Sequence, residues 1–236
     1  MSNLNISIIG YGKMGKLINE IATQRGIDVV SIVDPEYVRG YKEISEKSVG
    51  SADVCIDFTT QDVIVENITR LVKLEKNVVV GTTGWYNHLD EVKDLVDSSN
   101  IGLIYSTNFS IGANMYFAIV KKLLALSRGN EYDAYGIEMH HNEKSDKPSG
   151  TAKSLEKMIL DITGKKVDFA SIRAGKIAGI HTVGIDSEFD NIEITHSAKS
   201  RKGFAHGALL AAEFIRNKKG FYGSEEFMKY LLEERK

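Results

Sequence analysis

Short apolar runs alternate with helical patterns through the first half of this chain of 236 residues. This alternation constrains the fold most, because short continuous apolar runs are typical of strands buried on both faces of a parallel sheet. Apolar residues at helical spacing lie between the runs and predict right-handed crossovers. We therefore expect an α/β fold with a doubly wound parallel sheet. The predicted strands are 6–9, 29–33, 54–58, 78–80 and 102–105.

The pattern changes after residue 108. A helix is predicted over 115–125, and longer runs that alternate apolar and polar residues follow it. Such alternation indicates a mixed or antiparallel sheet with one covered face. One more helix interrupts these runs near Leu155 and Ile159, and an apolar helix over 205–215 follows them. The predicted strands of this half are 132–141, 169–174, 177–185 and 191–198.

Composition argues against several classes of protein. The net charge of −2 gives no electrostatic drive toward nucleic acid or an anionic membrane. No apolar run approaches the roughly 20 residues that a membrane span needs. The single cysteine, Cys55, excludes an intramolecular disulfide and lies in an apolar run, so we expect a small buried side chain in a cytoplasmic protein.

The glycines at positions 10, 12 and 15 fit the pattern G-x-G-x-x-G. The pattern is weak alone, but here it follows a predicted strand and opens a predicted helix. Gly10 permits the tight turn, Gly12 lets the backbone approach a pyrophosphate, and Gly15 lets helix and strand pack closely. The helix N-terminus then offers N–H groups to the phosphates. This segment predicts a dinucleotide site.

Asp34 ends the second predicted strand, where an acid can bind the adenosine ribose hydroxyls. A carboxylate there favours NADH and repels a 2′-phosphate. NADPH stays open, because Arg39 or Lys42 can fold back toward the site. Two later loops that follow strands, 81–84 and 106–110, carry glycine and small hydroxyl residues that suit the nicotinamide ribose and carboxamide.

The segment 138–152 brings two imidazoles, an ammonium group and a helix start together. His140 and His141 end an alternating strand, so their side chains start toward opposite faces and have different tasks. Lys144 follows within reach of either. Pro148 and Ser149 suit a helix start, beyond which backbone N–H groups can receive a carboxylate. The segment predicts proton transfer to a small acidic molecule.

A metal site is the alternative for this segment. His140, His141 and Glu143 are possible ligands, but adjacent strand residues diverge, and no other cluster has ligand spacing. We therefore expect no metal.

On these motifs the chain resembles the dihydrodipicolinate reductase (4-hydroxy-tetrahydrodipicolinate reductase) family, bacterial enzymes of the diaminopimelate and lysine pathway. Residues 140–152 match the family signature H-H-x-x-K-x-D-x-P-S-G-T-A throughout. The likeness extends over essentially the whole chain. Further matches are 10–15, 57–59, 81–84, 108–110, 173–182, 194–196 and 220–222.

The resemblance implies a Rossmann-like dinucleotide-binding domain, and the change of pattern after residue 108 places it at 1–108. We expect the C-terminal helix, 205–236, to return to this domain. A substrate-binding and oligomerisation domain with a mixed sheet would occupy 109–204. It also implies a homotetramer that reduces 4-hydroxy-tetrahydrodipicolinate to tetrahydrodipicolinate with NADH or NADPH. The composition predicts binding to neither nucleic acid nor a membrane.

The resemblance also assigns roles to residues. His140 would be the catalytic acid/base and Lys144 a proton donor. His141 and the backbone of Gly150 and Thr151 would hold the substrate carboxylates. The implied cofactor-binding residues are Gly10, Tyr11, Gly12, Lys13, Met14, Gly15, Asp34, Gly81, Thr82, Thr83, Ser106, Thr107, Asn108 and Phe109.

The chain departs from the family pattern at two points. Its glycine turn is one residue shorter than in many relatives, which bears on cofactor geometry. Ile180 stands where an acid often precedes the histidine of the G-x-H-T stretch, which bears on stability or substrate contacts.

Two other functions compete: a different amino-acid dehydrogenase of similar build, and a sensor that binds NAD(H) without turnover. The His–His–Lys segment argues against both.

Overall fold

The computed structural model describes residues 4–231. They form two compact units, one made of the chain up to Ile111 together with the segment from Lys202 onward, and the other of Gly112–Arg201. In chain order the elements are β1 (Asn5–Ile9), α1 (Lys13–Gln24), β2 (Asp28–Val33), α2 (Glu46–Val49), β3 (Val54–Asp57), α3 (Ile64–Lys73), β4 (Asn77–Val80), α4 (Leu89–Asp97), β5 (Gly102–Tyr105), α5 (Ile111–Ser127), β6 (Asp133–His140), α6 (Gly150–Thr163), β7 (Ala170–Arg173), β8 (Ile180–Asp186), β9 (Asn191–Ser197), α7 (Lys202–Ile215), β10 (Gly220–Tyr222) and α8 (Ser224–Lys229).

The first unit contains a six-stranded parallel sheet in the order β10-β5-β4-β3-β1-β2. The predicted doubly wound parallel sheet is therefore confirmed. Because β2 and β3 lie on opposite sides of β1, the strand order reverses next to β1. The carboxyl ends of the strands at such a reversal are where open α/β sheets bind their ligands.

Both faces of this sheet are buried, as the continuous apolar strands predict. Ile6 and Ile8 belong to an apolar cluster with Leu209 and Phe214 of α7. Ile9 belongs to a second cluster, on the side of α3 and α4. Cys55 is fully buried in that second cluster, and burial raises the pKa of its thiol to about 12.

The second unit contains a four-stranded sheet in the order β7-β6-β8-β9. β6 pairs parallel with β7 and antiparallel with β8, so the predicted mixed sheet is confirmed. Residues of α5 and α6, among them Val120, Leu155 and Ile159, form its core with Val183 of β8. The alternating burial along β6 places every second side chain, including Glu138 and His140, on the buried face.

Two predicted elements differ from the structure. The run 177–185 forms a strand only from Ile180, because Gly179 has φ of +154° and interrupts the extended backbone. The C-terminal segment is not one helix: α7 ends at Ile215, and Gly220, with φ of +100°, precedes β10 and α8. Residues 232–236 of that segment lie outside the described residues. Within 4–231, no helix combines the length and the apolar character needed to cross a bilayer.

We predict that Gly207→Ala destabilises the protein, because a Cβ at this position of α7 would lie 1.8 Å from the carbonyl oxygen of Phe109. The free energy of unfolding in urea should fall by about 1–3 kcal/mol, as for other overpacked sites. Gly203→Ala in the same helix is the control, since its nearest neighbour would be 3.7 Å away. Equal stability of the two variants would contradict the prediction.

Candidate functional site

The turn after β1 forms a cradle at the carboxyl edge of the first sheet. Gly10 has φ of +86°, and a Cβ on it would lie 2.6 Å from the carbonyl oxygen of Phe58. A Cβ on Gly15 would lie 2.2 Å from the carbonyl oxygen of Gly10. A Cβ on Gly12, in contrast, would meet nothing within 4 Å, and Gly12 is the N-cap of α1 without a side-chain cap. The cradle is thus open where the helix N-terminus can receive phosphate.

Asp34, just beyond β2, is joined to this turn. Its Oδ2 accepts the N–H of Tyr11 at 2.6 Å, and its Oδ1 accepts the N–H groups of Glu36 and Tyr37 at 2.7 and 3.2 Å. Burial alone would raise the pKa of Asp34, but these donors outweigh it and lower the pKa below the usual value. The carboxylate is therefore ionised and fixed beside the cradle.

The loops after β3 and β4 meet at a buried carboxylate to which the sequence assigned no role. Asp57 is fully buried; its Oδ1 accepts from Thr59 and from the Thr82 hydroxyl at 3.0 Å, and its Oδ2 accepts from Asn67 at 2.9 Å. Because no cation is among these donors, burial raises the pKa of Asp57 despite them. Asp57 therefore ties the loops after β3 and β4 together.

The hydroxyl groups of two predicted cofactor-binding residues, Thr82 and Ser106, have hydrogen-bond partners within the protein. Thr82 is buried, and its hydroxyl also accepts the N–H of Thr59 at 2.8 Å. The hydroxyl of Ser106 bonds to the main chain of Asn108 and to Ser224. Both hydroxyls thus have internal partners and shape their loops. Thr83 and Thr107, which are exposed, keep side chains at the same edge of the sheet.

The remaining predicted residues lie in the second unit, around the carboxyl end of β6. His140 is the last residue of β6 and is only 6% exposed. His141 follows it and is partly exposed, so the two histidines differ as the alternation predicts. Gly150 and Thr151 open α6, where the first N–H groups have no intrahelical acceptor. Ser149 caps this helix and accepts the N–H of Ala152 at 3.2 Å.

Glu138 and His181 complete the surroundings of His140, and sequence reasoning gave neither a role. Nδ1 of His140 lies 3.4 Å from Oε2 of Glu138, and Nε2 of His181 lies 3.6 Å from the same oxygen. The two imidazole rings meet edge to face at 5.0 Å. Ser149 Oγ lies 3.2 Å from Nε2 of His181. The alternation along β6, which puts 138 and 140 on one face, was the available signal.

Burial and charge set the ionisation of this cluster. Burial alone would raise the pKa of Glu138, but hydrogen bonds from Ser149, Arg173 and Ser171 lower it to about 2. Burial lowers the pKa of His181 to about 4, and the neighbouring His140 adds to this effect. Burial lowers the pKa of His140 too, with Glu138 opposing it. At neutral pH the cluster therefore holds the Glu138 carboxylate and a neutral imidazole at His181.

Lys144 lies in the loop between β6 and α6. Its Nζ pairs with Oδ1 of Asp146 at 2.8 Å, and its side chain is one quarter exposed. Its charge contributes to the lowered pKa of His140, so the two predicted proton-transfer residues act on one another electrostatically. Arg173 holds this loop by donating to the carbonyl oxygens of Lys144 and Asp146.

Glu138, His140 and His181 also place three possible metal-ligand atoms within 4.8 Å of one another. This trio differs from the set of possible ligands in the sequence segment. Arg173 donates to the carboxylate at 2.8 Å and already supplies a positive charge. Ser149 occupies Nε2 of His181. These contacts favour a proton-transfer cluster over a cation site, and the absence of a metal stays a prediction.

The chain matches two family models that together cover most of its length. Residues 4–109 match the model described as dihydrodipicolinate reductase, N-terminus, and residues 112–228 match the model described as dihydrodipicolinate reductase, C-terminus.

The chain belongs to the dihydrodipicolinate reductase family. The resemblance stated from the sequence is thereby confirmed, and so is the class of enzyme, an oxidoreductase that depends on a pyridine nucleotide.

Named relatives in the family cover nearly the whole chain. The protein named 4-hydroxy-tetrahydrodipicolinate reductase from Christiangramia forsetii is 35% identical over 95% of this chain and 98% of its own. The protein of the same name from Thermosipho africanus is 36% identical over 96% and 98%. A solved dipicolinate-bound dihydrodipicolinate reductase from Paenisporosarcina sp. TG-14 has the same fold, with a TM-score of 0.79 at 22% identity, covering 95% of this chain and 99% of that one.

We predict that His181 makes stability depend on pH. The unfolded chain protonates this imidazole near pH 6.5, whereas the folded protein holds it neutral down to about 4. Its contribution is therefore complete above pH 6.5 and is lost as the pH falls toward 4. In His181→Gln, the slope of unfolding free energy against pH in this window should decrease by about one proton.

Urea denaturation between pH 4 and pH 7.5 measures this slope. His88→Gln is the control, because His88 is exposed on its own surface turn beside Glu91. A slope that changes equally in both variants would refute the role of the buried imidazole.

Proposed function

We propose that this chain catalyses the family's reaction, the reduction of 4-hydroxy-tetrahydrodipicolinate to tetrahydrodipicolinate in diaminopimelate and lysine biosynthesis. The observation that carries the proposal is the juxtaposition of His140, Lys144 and the opening of α6 at one end of β6. It combines a titratable imidazole, an ammonium group and an anion-binding turn. A dicarboxylate imine needs all three.

Proton transfer falls to His140 and Lys144. The 4-hydroxyl group of the substrate leaves as water, and the nicotinamide nucleotide, when bound, supplies a hydride to the resulting conjugated ring. The enamine-like product of hydride transfer then takes up one proton to give tetrahydrodipicolinate. His140 exchanges this proton as general acid/base, because an imidazole takes up and releases a proton near neutral pH. The ammonium group of Lys144 stabilises or protonates the enamine-like product next to the substrate carboxylates.

Substrate carboxylates are held at the start of α6. The N–H groups of Gly150 and Thr151 lie in its first turn, where the helix dipole favours an anion. His141, which is partly exposed, supplies a further donor to the substrate carboxylates. The related protein from Paenisporosarcina was solved with dipicolinate bound, which is a planar dicarboxylate of this kind.

The nucleotide is held by the first unit. Gly10 to Gly15 cradle the pyrophosphate, and the loops of 81–83 and 106–109 face the nicotinamide end. NADH is the preferred donor, because the ionised Asp34 repels a 2′-phosphate. The Nζ of Lys42 is engaged by the carbonyl oxygens of Pro35 and Tyr37 at 2.8 and 3.1 Å, which leaves it poorly placed to neutralise that phosphate.

The second unit then serves substrate binding and assembly. The mixed sheet has exposed apolar side chains, Ile172 of β7 at 44% and Ile192 of β9 at 42%. A homotetramer that forms through this sheet would cover them. The buried free thiol of Cys55 accords with a reducing cytoplasm as the site of action.

We predict that Lys144→Ala lowers turnover by about 10²-fold or more, because it removes a charge and a proton donor. The assay follows oxidation of NADH on freshly generated 4-hydroxy-tetrahydrodipicolinate. Cofactor binding, measured by quenching of NADH fluorescence, should hold. Lys157→Ala is the control, since Lys157 is three-quarters exposed and pairs with Asp161. Unchanged turnover would refute the role, and an inactive wild-type protein would refute the reaction.

We also predict that Asp34→Asn weakens the preference for NADH. The substitution keeps the side-chain shape and removes the charge, so the ratio of kcat/KM for NADH to that for NADPH should fall by about tenfold, or 1.4 kcal/mol. The substitution also weakens the hydrogen bond from the Tyr11 N–H, but any loss of activity from this affects both nucleotides equally and cancels in the ratio. Glu36→Gln, next along the same turn, is the control. An equal ratio in Asp34→Asn and wild type would show that Asp34 does not select the nucleotide.

A further inference from the structure

The Glu138 side chain is 0% exposed, and the proposed chemistry gives it no task. On β6 it stands directly opposite Ser171 of β7 and His181 of β8. It therefore occupies the centre of the sheet face that also carries His140. A buried carboxylate at such a position needs several partners to remain ionised.

The two oxygens of Glu138 have different surroundings. Oε1 accepts from Ser171 Oγ at 2.7 Å, from Arg173 at 2.8 Å and from the N–H of Ser149 at 3.1 Å. Oε2 accepts the Ser149 N–H at 3.2 Å and lies 3.4 Å from Nδ1 of His140 and 3.6 Å from Nε2 of His181. The less saturated oxygen thus faces the proposed acid/base.

His140 presents a matching need. Its Nδ1 is buried and has no hydrogen-bond partner among the described residues, while the Oε2 of Glu138 lies 3.4 Å away. A carboxylate at this distance favours a proton on Nδ1, which leaves Nε2 as the nitrogen that exchanges a proton. On the other side of the ring, Gly179 has no side chain, and a Cβ there would lie 3.1 Å from Nε2. The glycine therefore avoids a close contact at Nε2 that any larger residue would make.

Arg173 extends the influence of Glu138 to Lys144. Its guanidinium, 7% exposed, pairs with Glu138 and also donates to the carbonyl oxygens of Lys144 and Asp146. The arginine therefore fixes the loop of Lys144 to the same buried carboxylate. The Ser149 N–H adds the first residue of the anion-binding turn to the set.

We propose that Glu138 is a positioning residue for proton transfer: it holds His140 with its proton on Nδ1, balances the charge of the imidazolium, and through Arg173 places Lys144. This inference rests on the proposed function for its kinetic consequence, but the tautomer of His140 is independent of it. The ionisable and charged groups around His140 and Glu138 are His181, Arg173, Lys144, Asp146 and, next to His181, His196.

The test compares wild type with Glu138→Gln, which keeps the shape and removes the charge. The kcat should fall by about 10²-fold or more with a much smaller change in KM. In the pH–rate profile, the ionisation of His140 should move to lower pH by roughly one unit or more, because its counter-charge is lost. Long-range ¹H–¹⁵N spectra, assigned with His140→Gln, should show a protonated Nδ1 in wild type and a loss of this preference in Glu138→Gln.

Glu156→Gln is the matched control, since Glu156 in the same unit accepts a main-chain N–H from Phe169 at 2.9 Å. It should keep the wild-type profile. If Glu138→Gln does not fold, two other measurements test the proposal: the tautomer of His140 in wild type, and the pH–rate profile of Glu138→Asp. Aspartate keeps the negative charge, so the ionisation of His140 in that profile should stay at the wild-type pH. A proton on Nε2 of neutral His140 in wild type, or an unchanged profile in folded Glu138→Gln, would overturn the proposal. An inactive wild-type protein would instead refute the proposed function.

Discussion

The hydrogen bonds that Asp57 accepts at the end of β3 are the interaction on which the edge of the first sheet depends. This carboxylate lies at the carboxyl end of its strand, which is the edge where open α/β sheets bind their ligands. Thr59 and Thr82 turn their hydroxyls inward to it. The loops after β3 and β4 are therefore both anchored to Asp57. The buried hydrogen bonds to this carboxylate fix the conformation of the loop backbone that faces outward.

The two units bury a carboxylate by different physical means. Asp57 is surrounded by neutral donors, and its pKa rises because these do not offset burial. Glu138 is paired with Arg173, and its pKa falls to about 2. The first arrangement suits a scaffold, since a group that can take up a proton avoids a stranded charge. The second maintains a permanent negative charge next to a histidine, which is what a proton-transfer site uses.

Patterns of short range are sufficient to predict much of this molecule. Apolar runs and helical spacing predict strands β1 to β9 and the helices near Leu155 and over 205–215. The local sequence around His140 and Lys144 predicts a site of proton transfer, which stays a prediction. The contacts that these patterns miss are of long range. Ser171 lies 33 residues from Glu138, and their meeting depends on strand register. The sequence places Thr82 and Ser106 in loops predicted to bind the cofactor, but it does not show that their hydroxyls also have partners within the protein, Asp57 and Ser224.

The first unit is discontinuous in sequence, and this has a consequence for its biogenesis. Gly112–Arg201 is an insertion within the chain of the first unit, which takes α7, β10 and α8 from after residue 201. During synthesis the inserted unit is complete while the earlier strands still lack the helix that supplies Leu209 and Phe214 to their core. The first unit therefore begins to be synthesised first but can complete its folding only last. Until then, one face of its sheet is exposed apolar surface that the nascent chain must keep from aggregating.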